Sequence, residues 1–193
     1  MRTGRLEAFS DGVIAILITI MVLELKVPHG DDLAAFLPIL PTLCGYVLSF
    51  VYIGIYWNNH HHMLHTLDRV SGGILWANLH LLFWLSLVPF ATAWMSESHS
   101  APVPTAAYGV ILFAAGLAYL ILQLAIVHQQ GPNSKLRRML GKDLKGKASA
   151  VLYLAAVALA FVNPRISQAL YISVALMWLV PDRRIELHLG NEH

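Results

Sequence analysis

The sequence predicts an all-α integral membrane protein with six transmembrane helices per subunit and no soluble domain. Three observations lead there. Of the 193 residues, 57% are hydrophobic and only 12% charged, about half the charged share with which a soluble globule covers its surface. Six predominantly apolar stretches bounded by charge, Pro or Gly are placed to cross a hydrocarbon core about 30 Å thick. The basic residues fall on alternate connections, which favours one topology.

The first span, Leu6 to Leu25, is the least ordinary. Its uncharged run, Gly12 to Leu23, is 12 residues, about 18 Å of helix. Glu7, Asp11 and Glu24 lie inside the length that would cross, and a carboxylate near the centre of a spanning helix costs about 2.5–3.5 kcal/mol on insertion scales. This helix belongs inside a bundle rather than in lipid. Arg2 and Arg5 before an apolar run resemble a signal peptide, but Asp11, the lack of an A-x-A-like cleavage site and the downstream spans argue against one. The second span, 37–57, carries Pro38 and Pro41 in its opening turns, where a missing N–H does little harm. The third and fourth cover 74–95 and 103–127. The fifth and sixth, 148–162 and 166–180, are short, and the Asn163-Pro164-Arg165 step between them allows only a tight turn. They read as one helical hairpin.

Six spans put Arg2, Arg5, Arg69, the six basic residues of the segment 134–147, Arg183 and Arg184 on one side, leaving only Lys26 and Arg165 on the other. Both termini are therefore expected in the cytoplasm of a multi-pass cell-membrane protein. The net charge of +2 is spread over loops and tails, so nucleic acid is not an expected partner; membrane lipid is. The basic segment is first a topology signal and second a surface for anionic lipid.

At about 100° per residue, Phe9, Gly12, Ile16, Thr19, Ile20 and Leu23 share one stripe of the first helix, and Asp11 points well away from it. Two readings stay open. Ordinary helix packing, the commoner cause, gives the same periodicity. An apolar stripe with a single hydroxyl also suits a narrow passage, where branched side chains close by dewetting and a hydroxyl touches a partly dehydrated ion. In the second case Asp11 faces neighbouring helices of its own subunit and needs a partner there.

Arg5-x-x-x-Phe9-Ser10-Asp11 opening a first membrane helix, followed by GVIAILITIMVLEL, resembles the signature of the transmembrane protein 175 family of potassium channels. The Trp57-Asn58-Asn59-His60 element at the end of the second span, Asn78 in the third and its Pro89-Phe90 exit add to the resemblance, which extends over the whole chain. It implies a tetramer of identical subunits with a pore on the fourfold axis, lined by the first helix, without a re-entrant selectivity-filter loop. Only an isolated Gly45-Tyr46-Val47 is similar to filter sequence. The resemblance also implies that Ile16 forms a hydrophobic constriction, that Thr19 contributes potassium selectivity, and that Ile20 and Leu23 constrict further. Arg5, Ser10 and Asp11 would belong to a buried hydrogen-bond network with partners among Trp57, His60, Asn78 and His80. No cofactor is implied; potassium is the permeant species.

Other features carry plainer readings. His61 and His65 stand at i and i+4 on one helical face, but only Asp68 is at hand to complete a ligand set, so no metal is expected and sensitivity of the imidazoles to pH is the more natural role. Glu24, Lys26, Asp31 and Asp32 cluster at the far end of the first helix, as solvated end charges or as a ring concentrating cations at a mouth. Trp57, Trp94, Tyr108 and Trp178 read as interfacial anchors, and Cys44, the single cysteine, as an inert buried thiol. No span carries the regularly spaced arginines of a voltage sensor. No nucleophile–base pair or phosphate-binding loop is present, so an enzyme is not expected. The expected activity is passive, potassium-preferring cation conduction; the alternative is a secondary or proton-coupled carrier with Asp11 as its coupling site.

Overall fold

The computed structural model describes residues 3–67, 69–140 and 143–179, and all their regular structure is helical. Arg2, Asp68, Lys142, Val180, Arg183 and Arg184, which entered the topology and ligand arguments above, lie outside the described residues. The helices are α1 (Thr3–Met21), α2 (Leu33–Phe36), α3 (Leu40–His65), α4 (Gly72–Ser86), α5 (Val88–Glu97), α6 (Pro102–Gln130), α7 (Lys135–Leu140), α8 (Leu144–Leu159) and α9 (Pro164–Leu179).

Among the described residues, four stretches are long and apolar enough to cross a membrane: Thr3–Glu24, Leu33–His65, Gly72–Glu97 and Pro102–Gln130. The second is longer than its sequence suggests. Polar residues Asn58 to His62 continue the helix to His65, since nothing between Trp57 and Thr66 breaks it, and Asn59 bonds back to the Ile55 carbonyl at 2.8 Å. The third is interrupted at Leu87, between α4 and α5, because Pro89 supplies no N–H to the preceding turn. The fourth opens on Pro102 and stops at Gly131, whose φ of 71° is easily reached only by glycine. α8 and α9, at 16 residues each, are about 24 Å long.

Local chemistry sets the helix ends. Ser71 accepts from the Ile74 N–H to start α4, and Asp143 accepts from the Gly146 N–H to start α8. The Asn163 side chain accepts from the Arg165 N–H in the turn between α8 and α9. The basic segment contains one element that its composition hid: α7, started by Ser134, which accepts from the Arg137 N–H at 3.1 Å.

α6 is the hub, packed against α4, α5, α8 and α9; α1 lies against α3, α4 and α5 on the other side of the bundle. A buried hydroxyl relay ties α3, α5 and α6. Thr92 donates to the Val88 carbonyl, so Ser49 donates to Thr92 at 2.7 Å and accepts from the Tyr108 hydroxyl at 2.9 Å. Tyr108 is 0% exposed and is thus a core strut rather than an interfacial anchor. Tyr52 donates to the Tyr171 carbonyl at 2.6 Å and Tyr171 to the Thr105 carbonyl at 2.9 Å, which fastens α9 to α3 and α6. Trp178 also finds an internal partner, Ser149, at 2.8 Å, while Cys44 is exposed rather than buried.

The Tyr171 hydroxyl passes directly over Gly109, where any Cβ would collide with it, with the ring and with Val157. Gly109→Ala is expected to destabilise the bundle by about 1–3 kcal/mol, the usual range for overpacking. Gly116→Ala, whose Cβ would meet only the Tyr56 hydroxyl at 3.7 Å, should leave stability unchanged or slightly raised. Thermal unfolding of the two variants in detergent checks the contrast.

Candidate functional site

The α1 helix shows two unlike faces. Leu6, Ser10, Ile14, Leu17 and Met21 recur at i+4 and i+3 and are buried; Ile14 is 1% exposed. On the wheel the stripe of Phe9, Gly12, Ile16, Thr19 and Ile20 is centred about 130° from this seam, and Leu23 follows it in the 3-10 turn Val22–Glu24. All six are exposed or partly exposed in the single subunit, with Ile16 at 60% and Leu23 at 79%, and a Cβ at Gly12 would meet nothing within 4 Å. Thr19 donates its hydroxyl proton to the Ile16 carbonyl at 2.9 Å. That leaves its exposed oxygen with acceptor capacity alone.

The buried seam is pinned by one polar relay at the end where α1 begins, α3 ends and α4 begins. Ser10 donates to the Leu6 carbonyl at 2.9 Å and accepts from the Asn78 amide at 3.0 Å. The Asn78 carbonyl is then left to accept from His60 Nε2 at 2.7 Å, so His60 carries its proton on Nε2. All three residues are at most 1% exposed.

Asp11 belongs to a separate contact. It sits on the flank between the two stripes and accepts from the Trp57 indole at 3.0 Å, a bond that remains open to solvent. Trp57 is therefore a partner of Asp11 before it is a membrane anchor. The structure thus brings together Ser10, Asn78 and His60, and separately Asp11 and Trp57. Arg5 is exposed and joins neither group among the described residues. His80 lies outside as well, accepting from Trp84 one turn along its own helix at 3.0 Å.

At the opposite end of α1, Lys26 and Glu97 form an ion pair at 2.7 Å, which holds the Lys26 ammonium pKa above its ordinary value. Glu24 is exposed beside it. Asp32 is engaged as the cap of α2, accepting from the Ala35 N–H at 2.9 Å.

The resemblance grouped Ser10, His60 and Asn78 with Arg5, Asp11, Trp57 and His80 in one network and assigned no pairs, and the Ser49–Thr92–Tyr108 relay was missed. Ser49 and Thr92 are isolated hydroxyls in apolar runs, a pattern that on a membrane helix marks an interhelical contact. That signal was available.

Truncating the centre of the Ser10 relay strands two buried groups. Asn78→Ala is expected to lower stability by about 1–3 kcal/mol for each group left unsatisfied. Trp57→Phe, which frees a part-exposed carboxylate to bond water, should lower it by less than about 1.5 kcal/mol. Unfolding midpoints of the two purified variants test the ranking.

The sequence profile described as endosomal/lysosomal potassium channel TMEM175 matches residues 5–89. A potassium channel of Chryseobacterium sp. is 53% identical over 189 residues, covering 98% of this chain and 98% of its own. The endosomal/lysosomal proton channel TMEM175 of Gallus gallus is 30% identical over 72% of this chain, which spans 31% of that longer protein. The fold matches the crystal structure of a lysosomal potassium-selective channel TMEM175 homologue from Chamaesiphon minutus with a TM-score of 0.80 and 29% identity, over 92% of this chain and 96% of that one. Identity above one half across essentially the whole length of a relative, with the same helical architecture in a solved homologue, makes this chain a prokaryotic member of the TMEM175 family.

Proposed function

We propose that the protein is a potassium-preferring cation channel, a homotetramer in which four copies of α1 enclose the conduction path. The observation that carries this reading is the exposed outer stripe of α1. A helix with carboxylates at Glu7 and Asp11 and so short an uncharged run is poorly suited to lipid, yet one whole apolar face is left without a partner in the single subunit. Copies of the same helix around an axis give that face a surface to meet. The names of the relatives as potassium or proton channels support ion conduction of this kind.

Within the pore, Ile16, Ile20 and Leu23 form the hydrophobic constriction and Thr19 the selective ring. Four threonine oxygens, each with its proton committed to the backbone, face the axis as neutral acceptors. Their field is weaker than that of stacked carbonyls, so preference for potassium over sodium is modest. α8 and α9 complete six crossings. They are short, but Val151, Leu154, Ile172 and Leu176 are exposed on them, apolar surface that lipid would cover, and a short crossing is accommodated by local thinning and by end residues that snorkel. Both termini face the cytoplasm.

Planar-bilayer recordings with potassium on one side and sodium on the other test this reading. Wild type should give unitary currents whose reversal potential favours potassium. Thr19→Ala should move that potential towards zero, and Ile16→Asn, which wets the constriction, should raise conduction. Absence of unitary currents together with slow, saturable uptake abolished by Asp11→Asn would overturn the channel in favour of a carrier.

A further inference from the structure

We propose that His61 and His65 form a two-imidazole binding site for a divalent transition-metal ion of the nickel, copper and zinc class, on the face of α3 beside Trp57. The two residues are four apart on the helix, and their Nε2 atoms lie 3.0 Å from one another. The rings are nearly perpendicular, with centroids 4.3 Å apart. Two ligand nitrogens are therefore held side by side on one face of α3.

Their separation fits a shared metal. With metal–nitrogen bonds of about 2.0–2.1 Å, two ligand nitrogens are about 2.9 Å apart at a right angle and about 3.4 Å apart at the tetrahedral angle. The observed spacing lies inside that window, close to the right-angle limit that octahedral and square-planar ions prefer. In the free protein one imidazole Nε2–H satisfies the other nitrogen. To present both Nε2 lone pairs, the ring that carries that proton shifts to its Nδ1–H tautomer, and the metal then sits off the N···N line at about 2.0–2.1 Å from each nitrogen.

The surroundings suit an exchangeable ion rather than a permanent one. His65 is exposed and His61 partly so. Among the described residues no group of three or more His, Cys, Asp or Glu side chains converges, so water completes the coordination. Copper and nickel should bind more tightly than cobalt or manganese, with zinc below copper. The Trp57 ring lies nearly parallel to His61, at 26° with centroids 6.1 Å apart, and the same indole holds Asp11 of α1. Occupancy would thus immobilise the ring next to the contact that joins α3 to the first helix. His62 does not share the site: its ring meets His61 edge-on, at 64° and 5.7 Å, and its Cβ leaves the helix about 100° round from that of His61.

Binding of nickel chloride to the full chain, purified on a tag without histidine, is measured by isothermal titration calorimetry, a readout independent of ion conduction. His61→Gln and His65→Gln are each expected to weaken binding by roughly tenfold or more, at least the loss that follows removal of a mere supporting partner. His62→Gln should bind as wild type does. Copper(II) electron paramagnetic resonance gives a second reading that does not depend on heats: the coupling pattern should lose one imidazole nitrogen in His65→Gln. Unchanged affinity in both single variants, an equal loss in His62→Gln, or an unaltered copper spectrum would overturn the site.

Discussion

A polar side chain buried between membrane helices has to be satisfied by its neighbours, and in this chain that requirement fixes how α1 is turned. Ser10 is closed to solvent, and Asn78 is its interhelical partner. Asn78 in turn needs His60. Rotating α1 by one residue, about 100°, would break the first of these bonds and carry Ser10 off the seam. The register of Leu6, Ile14, Leu17 and Met21 follows from that pin. So, by exclusion, does the outward direction of Ile16, Thr19 and Leu23.

The second relay does a different job. Tyr108, Ser49 and Thr92 end on a helical carbonyl at Val88, one residue beyond the interruption between α4 and α5. Every donor in this chain of hydroxyls has one acceptor, so the direction of each is determined. With Tyr52 and Tyr171 it ties α3, one of the helices that α1 packs on, to α5, α6 and α9. One polar cluster therefore orients the first helix, and another holds the scaffold against which it is oriented.

What the residues disclosed, and what they withheld, divides along physical lines. The outer stripe of α1 was legible as a stripe because its members share a 3.6-residue period, but not the surface it meets; Ser10, Asn78 and His60 entered through the family resemblance, which did not say which of them pair. The length of α3 was not legible. Hydropathy falls at Asn58, whereas the lack of a Pro or Gly between Trp57 and Thr66, the back-bond of Asn59 and the buried bond of His60 to Asn78 carry the helix on to His65. Tyr108 was misread because the same amphipathic ring serves at an interface or in a core, and only its partner Ser49 distinguishes the two. Asp11 and Ser10 are sequence neighbours yet serve separate contacts, since adjacent helical residues diverge by about 100°. Membership of a motif does not place them in one network.

The weak side of α1 and its strong side are linked. A helix surrounded by lipid would not carry carboxylates in its span; α1 carries Glu7 and Asp11, and packing, the Ser10 relay and the Trp57 contact hold it on one side while the outer stripe is left open. The proposed pore turns this to use. Because the relay sets the rotation from the inside, the outer stripe is free to carry residues chosen for an ion rather than for packing. Thr19 can then keep its proton on the Ile16 carbonyl and present its oxygen outward without loosening the fold. A hydroxyl whose donor is already satisfied by its own helix has only acceptor capacity left, and that is the capacity a cation requires.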